Sequence, residues 1–94
     1  MVVGLLTVDL LVPVAHSLKE KRSVVRSLVE RLRRRHNLSV WESDYHDLHG
    51  RSQIVAAWVG PNGTDARRAL ESALNLAETT DGAEVIDWSI ELLR

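Results

Sequence analysis

Eight cationic side chains fall between Ser17 and His36: Lys19, Lys21, Arg22, Arg26, Arg31, Arg33, Arg34 and Arg35. Only Glu20 and Glu30 oppose them, so this stretch carries +6 in a chain whose formal net charge is -1. Residues 1–16 hold the lone acid Asp9, and residues 37–94 set four arginines against ten acids. A basic segment presented by an acidic body is the charge pattern of a site for an anionic partner. Arginine grips phosphate oxygens in bidentate fashion, and a row of such cations follows a nucleic-acid backbone without reading its sequence. Wound as a helix from Leu18, the segment brings Lys19, Arg22, Arg26 and Arg33 within about 60° of one another, with Arg34 and Arg35 in support. The competing assignment is a solvated face, paired with Glu30 and the acidic body and favoured by the helix dipole near Arg33 to Arg35.

A second group is Glu42, Asp44, His46, Asp47 and His49, all within eight residues. Carboxylates and imidazoles this close ligate divalent metals or exchange protons. His46-x-x-His49 outside a helix lacks the geometry of a helical zinc pair, however. A polar connection, with Asp47 capping local backbone amides, is the simpler expectation, and no metal or cofactor is expected. Lys21 stands apart from the other cations because its wheel position lies inside the apolar arc. Either it reaches past the core edge to water, or it meets a buried carboxylate such as Asp9 or Glu42. Lys21, Glu42, Asp44 and Asp47 are thus a candidate small-ligand site.

No reaction is announced. The chain has no Cys, which removes thiolate nucleophiles, disulfides and cysteine-based zinc sites. It has no Walker loop, GxGxxG, nucleophile elbow or HExxH. The Gly60-Pro61-Asn62-Gly63 turn lacks the glycine order that cradles a phosphate. His16 and His36 stand at the two ends of the basic segment without a nucleophile beside them, and His36 suits a helix C-terminus as a cation. A non-enzymatic protein is expected.

The elements that must position these groups follow from periodicity. Val2 to Val12 is an apolar run rich in β-branched residues and stopped by Pro13, which predicts a strand. It lacks the basic n-region of a signal peptide, contains Asp9, and at 11 residues falls short of the roughly 20 that span a bilayer. A protein of the cytoplasm is expected. Gly4, Leu6, Val8 and Leu10 share one face of this strand; Val3, Leu5, Thr7, Asp9 and Leu11 share the other. Ser17 with Glu20 is a capping-box pattern. The helix that follows buries Val24, Val25, Leu28, Val29 and Leu32 in an arc of about 140° and ends near His36-Asn37. Leu38 to Ser43 and Ser52 to Gly60 read as strands. Asn62 or Thr64 caps a second helix with Ala66, Ala69, Leu70, Ala73, Leu74 and Ala77 inward. Glu84 to Leu93 alternates, with Ile86, Trp88, Ile90 and Leu92 inward and Val85, Asp87, Ser89 and Glu91 outward.

The order βαββαβ predicts an α/β domain spanning residues 1–94 with the ferredoxin-like arrangement. Its four-stranded antiparallel sheet would carry both helices on one face. The other face would stay bare, and here it is apolar, presenting Trp41 and one side of each apolar strand. Such a surface marks an interface, and homo-oligomerisation through the open face or an edge strand is expected. The base-stacking aromatics of the RNA-recognition fold are missing, since the chain has no Phe and one Tyr. RNA binding would therefore fall to the basic helix.

On these residues the chain resembles the small bacterial family DUF503, also called YlxP-like. The resemblance rests on Ser17-Leu18-Lys19-Glu20-Lys21-Arg22-Ser23 after an apolar strand, then Asn37-Leu38-Ser39-Val40, Glu42, Asp44 and Asp47-Leu48. A Trp tends to follow the Asp-Leu pair in that family; His49 takes the place here. The resemblance implies a ferredoxin-like fold, self-association and no established enzymatic activity. Members are often encoded near ribosome-binding factor A and translation initiation factor two, which implies work on the ribosome or RNA. The expectation is a non-enzymatic module that binds structured RNA or a ribosomal subunit. Lys19, Arg22, Arg26, Arg33, Arg34 and Arg35 would contact phosphates. The alternatives are a dimeric ligand- or metal-binding regulator and a structural domain that docks a protein.

Overall fold

The computed structural model describes residues 1–35 and 37–94. In chain order the elements are β1 (Val2–Leu11), α1 (Leu18–Arg35), β2 (Ser39–Asp44), β3 (Arg51–Gly60), α2 (Gly63–Glu78) and β4 (Glu84–Leu93). The strands form one sheet in the order β2-β3-β1-β4, and every neighbouring pair is antiparallel. This is the expected ferredoxin-like arrangement, with β2 and β4 as its edges. Among the described residues no helix is long and apolar enough to cross a membrane.

Strand β1 is the spine of the fold because its even-numbered residues are apolar without exception. Val2, Leu6, Val8 and Leu10 are buried, while the odd-numbered residues are half-buried on the opposite face. Leu6, Val8 and Leu10 join Val25, Leu28 and Leu32 of α1 and Leu70, Ala73, Leu74 and Ala77 of α2 in one apolar core. Gly4 lets α2 sit low on the sheet, since a Cβ at this position would lie 2.7 Å from Leu70 Cδ1. That core sets the rotation of both helices and thereby decides which side chains reach the outer surface.

The helix starts follow local chemistry. Ser17 Oγ accepts from the Glu20 amide at 3.1 Å, and Glu20 Oε2 accepts from the His16 amide at 3.0 Å. The reciprocal pair is the capping box, reaching one residue further upstream than usual. For α2 the cap is Asn62 and not Thr64: Asn62 Oδ1 accepts from the Asp65 amide at 2.8 Å. The position assigned to His36 at the end of α1 lies outside the described residues.

Two inward assignments are corrected by the fold. The pairing of β1 with β4 shifts between Asp9 and Leu10, so that Asp9 faces Asp87 while Leu10 faces Val85. Ile86 is the extra residue of this bulge. Alternation breaks there, Val85 turns in to pack on the core, and Ile86 is 46% exposed. Trp88 pairs with Val8 on the expected side yet stays 51% exposed on the edge strand. Within α2, Leu76 joins the inward set, three residues beyond Ala73 and seven beyond Ala69, and is buried, while Ala69 is only half-buried.

Candidate nucleic-acid interface

Helix α1 packs on the core along Lys21, Val25, Leu28 and Leu32, so this buried row divides its cations into two flanks. Lys19, Arg22, Arg26 and Arg33 lie on the side of β2. Arg33 marks this flank, donating from its guanidinium to the Val40 carbonyl and lining a hollow with Leu38, Ser39, Ala57 and Val59. Arg31, Arg34 and Arg35 lie on the side of α2, around Leu76. Helical geometry accounts for the split. Steps of four and seven residues keep Arg22, Arg26 and Arg33 together, while Arg31 and Arg35 fall across the buried row. All seven side chains are exposed. Arg34 and Arg35, placed with the stripe as supporting contacts, thus face a different partner element from Arg22 and Arg26.

The eighth cation, Lys21, is fully buried. Its Nζ donates to Glu42 Oε2 at 2.9 Å and to the Tyr45 carbonyl at 2.8 Å. The Glu42 carboxylate also accepts from Ser52 Oγ at 2.7 Å. Of the two carboxylates considered for Lys21, the fold selects Glu42. Asp9 sits on the opposite face of the sheet, where it accepts from Gln53 Nε2 at 2.8 Å. Lys21 therefore has its charge met inside the protein. Two further features hold this corner. Tyr45 adopts a left-handed backbone with φ 64°, and the Arg51 guanidinium lies 4.6 Å from the centre of its ring.

The segment after Glu42 turns its polar groups towards the backbone. A ring nitrogen of His46 lies 2.8 Å from the Glu42 carbonyl, and His49 Nδ1 lies 3.0 Å from that of Ala15. The carboxylate that caps a local amide is Asp44, accepting from Tyr45 N–H at 2.7 Å, and not Asp47, which is exposed. Among the described residues no three His, Asp or Glu side chains cluster as metal ligands. Of the candidate ligand site, Lys21 and Glu42 come together, while Asp44 and Asp47 remain at the surface.

The open face of the sheet presents Trp41 and Val59, each 61% exposed, and Leu93 at 46%, beside half-buried Val3, Leu5, Val55 and Ala57. Its polar end carries Ser43, whose hydroxyl donates to Gln53 Oε1 at 2.9 Å, and the facing pair Asp9 and Asp87.

Sequence reasoning passed over three residues. Arg67, Arg68 and Arg94, three of the four arginines outside α1, line one open hollow of about 680 Å³ at the start of α2. The adjacent pair Arg67-Arg68 in an acidic half was the available signal, but its convergence with the last residue of the chain is a product of the fold.

The fold is shared with acylphosphatase from Bacillus subtilis, at a TM-score of 0.51 and 23% identity over 100% of this chain and 87% of that one. It is shared equally with a variant of SnoaB, a cofactor-independent oxygenase from Streptomyces nogalater. There the TM-score is 0.51 and the identity 19%, over 97% of this chain and 91% of the other. At these identities the likeness is one of fold. No curated protein matches the sequence. The model of one family does match, from Val3 in β1 through to Ile90 in β4. The chain belongs to DUF503, a family of proteins of unknown function.

Proposed function

We propose that this protein is a non-enzymatic binding module of the cytoplasm that docks on structured RNA, such as the RNA of a ribosomal subunit, through the exposed cations of α1. One observation carries the reading. A chain of net charge -1 places seven exposed cations on a single helix, and none of them is within ion-pair distance of a carboxylate among the described residues. Lys19, Arg22 and Arg26 supply one set of phosphate contacts, and Arg34 and Arg35 a second. Arg33 contributes with the donors left over from Val40. Contacts of this kind hold any phosphate backbone and weaken as salt rises.

Co-sedimentation with purified ribosomal subunits tests the reading, using the Lys19→Glu/Arg22→Glu/Arg26→Glu variant alongside. Binding is expected at about 50 mM salt, to fall steeply by about 200 mM, and to be lost in the variant. Undiminished binding by the variant removes the Lys19–Arg22–Arg26 flank from the role, and no binding at low salt removes α1 altogether.

The open sheet face supports a second property, self-association. Three strands of ten residues and one of six give a face of roughly 500–600 Å² at about 3.3 Å per residue and 4.8 Å between strands. Two copies face to face would bury roughly 1,000–1,200 Å², enough for a specific interface. The apolar patch of Trp41, Val55 and Val59 on β2 and β3 suits a second copy of the same surface.

A further inference from the structure

The three arginines beyond α1 do not stand alone. The hollow that holds Arg67, Arg68 and Arg94 is also lined by Ser72 and Asn75. The same two residues line a second hollow with Arg35, Leu76 and Thr79. Arg35 and Leu76 in turn line a third with Arg31 and Arg34. The shared walls make one trough along α2, with three arginines at each end and small polar side chains between. Among the described residues, Glu71 is the one acidic side chain on its walls. Among the same residues no carboxylate lies within ion-pair distance of these six guanidiniums. The α2 N-terminus adds positive potential, because Gly63 and Thr64 border the first hollow.

We infer that this trough seats one strand of an RNA backbone, whose phosphates run from the Arg31–Arg34–Arg35 cluster to the Arg67–Arg68–Arg94 cluster. The inference rests on the RNA-binding reading and assigns it a path. Dimensions agree with that occupant. Arg68 of α2 and its C-cap Thr79 are eleven residues apart, about 16 Å along the axis, which is long enough for several successive phosphates of one strand. The chemistry agrees as well. Guanidiniums at the ends take phosphate oxygens in pairs, and the Asn75 amide offers a short donor to sugar and phosphate oxygens, while the Thr79 hydroxyl, which donates to the helix carbonyls of Asn75 and Leu76, accepts from a ribose hydroxyl. Nothing apolar or aromatic in the trough offers a stacking platform beyond Leu76 and Leu92, so the strand is held by its backbone and not by its bases.

Fluorescence anisotropy with a labelled RNA duplex of about 16 base pairs tests the path across a salt series. The proteins compared are the unaltered chain, Lys19→Glu/Arg22→Glu/Arg26→Glu, and Arg67→Ala/Arg68→Ala/Arg94→Ala. The last variant is expected to lose affinity on the order of 10²-fold near 0.1 M salt and to flatten the salt slope by two to three units. The triple lysine variant at the same positions should retain most of that slope. Unchanged affinity and slope in the alanine variant would overturn the trough and leave α1 standing. Absence of RNA binding by the unaltered chain at low salt would overturn both. Should the alanine variant fold poorly, amide chemical shifts of the unaltered protein supply an independent test. RNA should move Gly63, Thr64, Arg67 and Arg68, and stationary signals there would refute the assignment.

Discussion

Lys21 Nζ sits 2.9 Å from Glu42 Oε2, with the lysine side chain wholly buried and the glutamate 17% exposed. The pair joins the first turn of α1 to edge strand β2. Through the Tyr45 carbonyl it also fixes the left-handed residue that follows the strand. Removing one partner strands a buried charge, whereas removing both need not. Glu42→Gln should destabilise the protein by about 3 kcal/mol, and Lys21→Met by about 1–3 kcal/mol because Glu42 keeps Ser52 and some water. The double variant Lys21→Met/Glu42→Gln should cost clearly less than the sum. Urea unfolding of the four proteins measures this directly. Strict additivity would mean that the pair is not coupled.

Gly4 lies directly beneath Ala66 and Leu70 of α2. In Gly4→Ala the new methyl meets Leu70 Cδ1 at 2.7 Å, too near for a Cβ contact. The helix or the leucine must shift, at about 1–3 kcal/mol. Pairing Gly4→Ala with Leu70→Val should recover part of that loss in a thermal melt. Failure to recover would place the strain elsewhere.

The cap of α2 has a simple expectation. Asn62→Ala removes the acceptor for the Asp65 amide and should cost about 1 kcal/mol, while Thr64→Ala should cost much less. Equal losses from the two substitutions in denaturant titrations would contradict the assignment of Asn62.

The open face predicts self-association that depends on Trp41. Sedimentation equilibrium should show a dimer for the unaltered chain and a monomer for Trp41→Glu/Val59→Lys, with circular dichroism unchanged because both side chains are 61% exposed. An unaltered chain that stays monomeric at high concentration would end the self-association reading.

Much of this architecture is local and could be read from the chain. The apolar run from Val2 to Val12, the Ser17–Glu20 cap and the helical spacing of Val25, Leu28 and Leu32 each depend on neighbours within a turn or a strand. Element order then determined the sheet, because right-handed crossovers leave one arrangement for two βαβ units. The concentration of cations between Lys19 and Arg35 was equally plain.

Tertiary structure decided what required two distant segments at once. No periodicity within β4 indicates that Val85 turns inward and Ile86 outward; the bulge exists only against Asp9 and Leu10 of β1. Lys21 was visibly out of place, but its partner was settled by which face of the sheet each acid occupies, Glu42 beneath α1 and Asp9 on the open side. The helical wheel grouped the arginines of α1 by angle alone. Once Leu28 and Leu32 are packed on the sheet, their neighbours divide between β2 and α2, and Arg67, Arg68 and Arg94 converge from two elements on one hollow. Side-chain type and short spacing are properties of the sequence, whereas shared surfaces arise only when burial of the core fixes how the elements are turned towards one another.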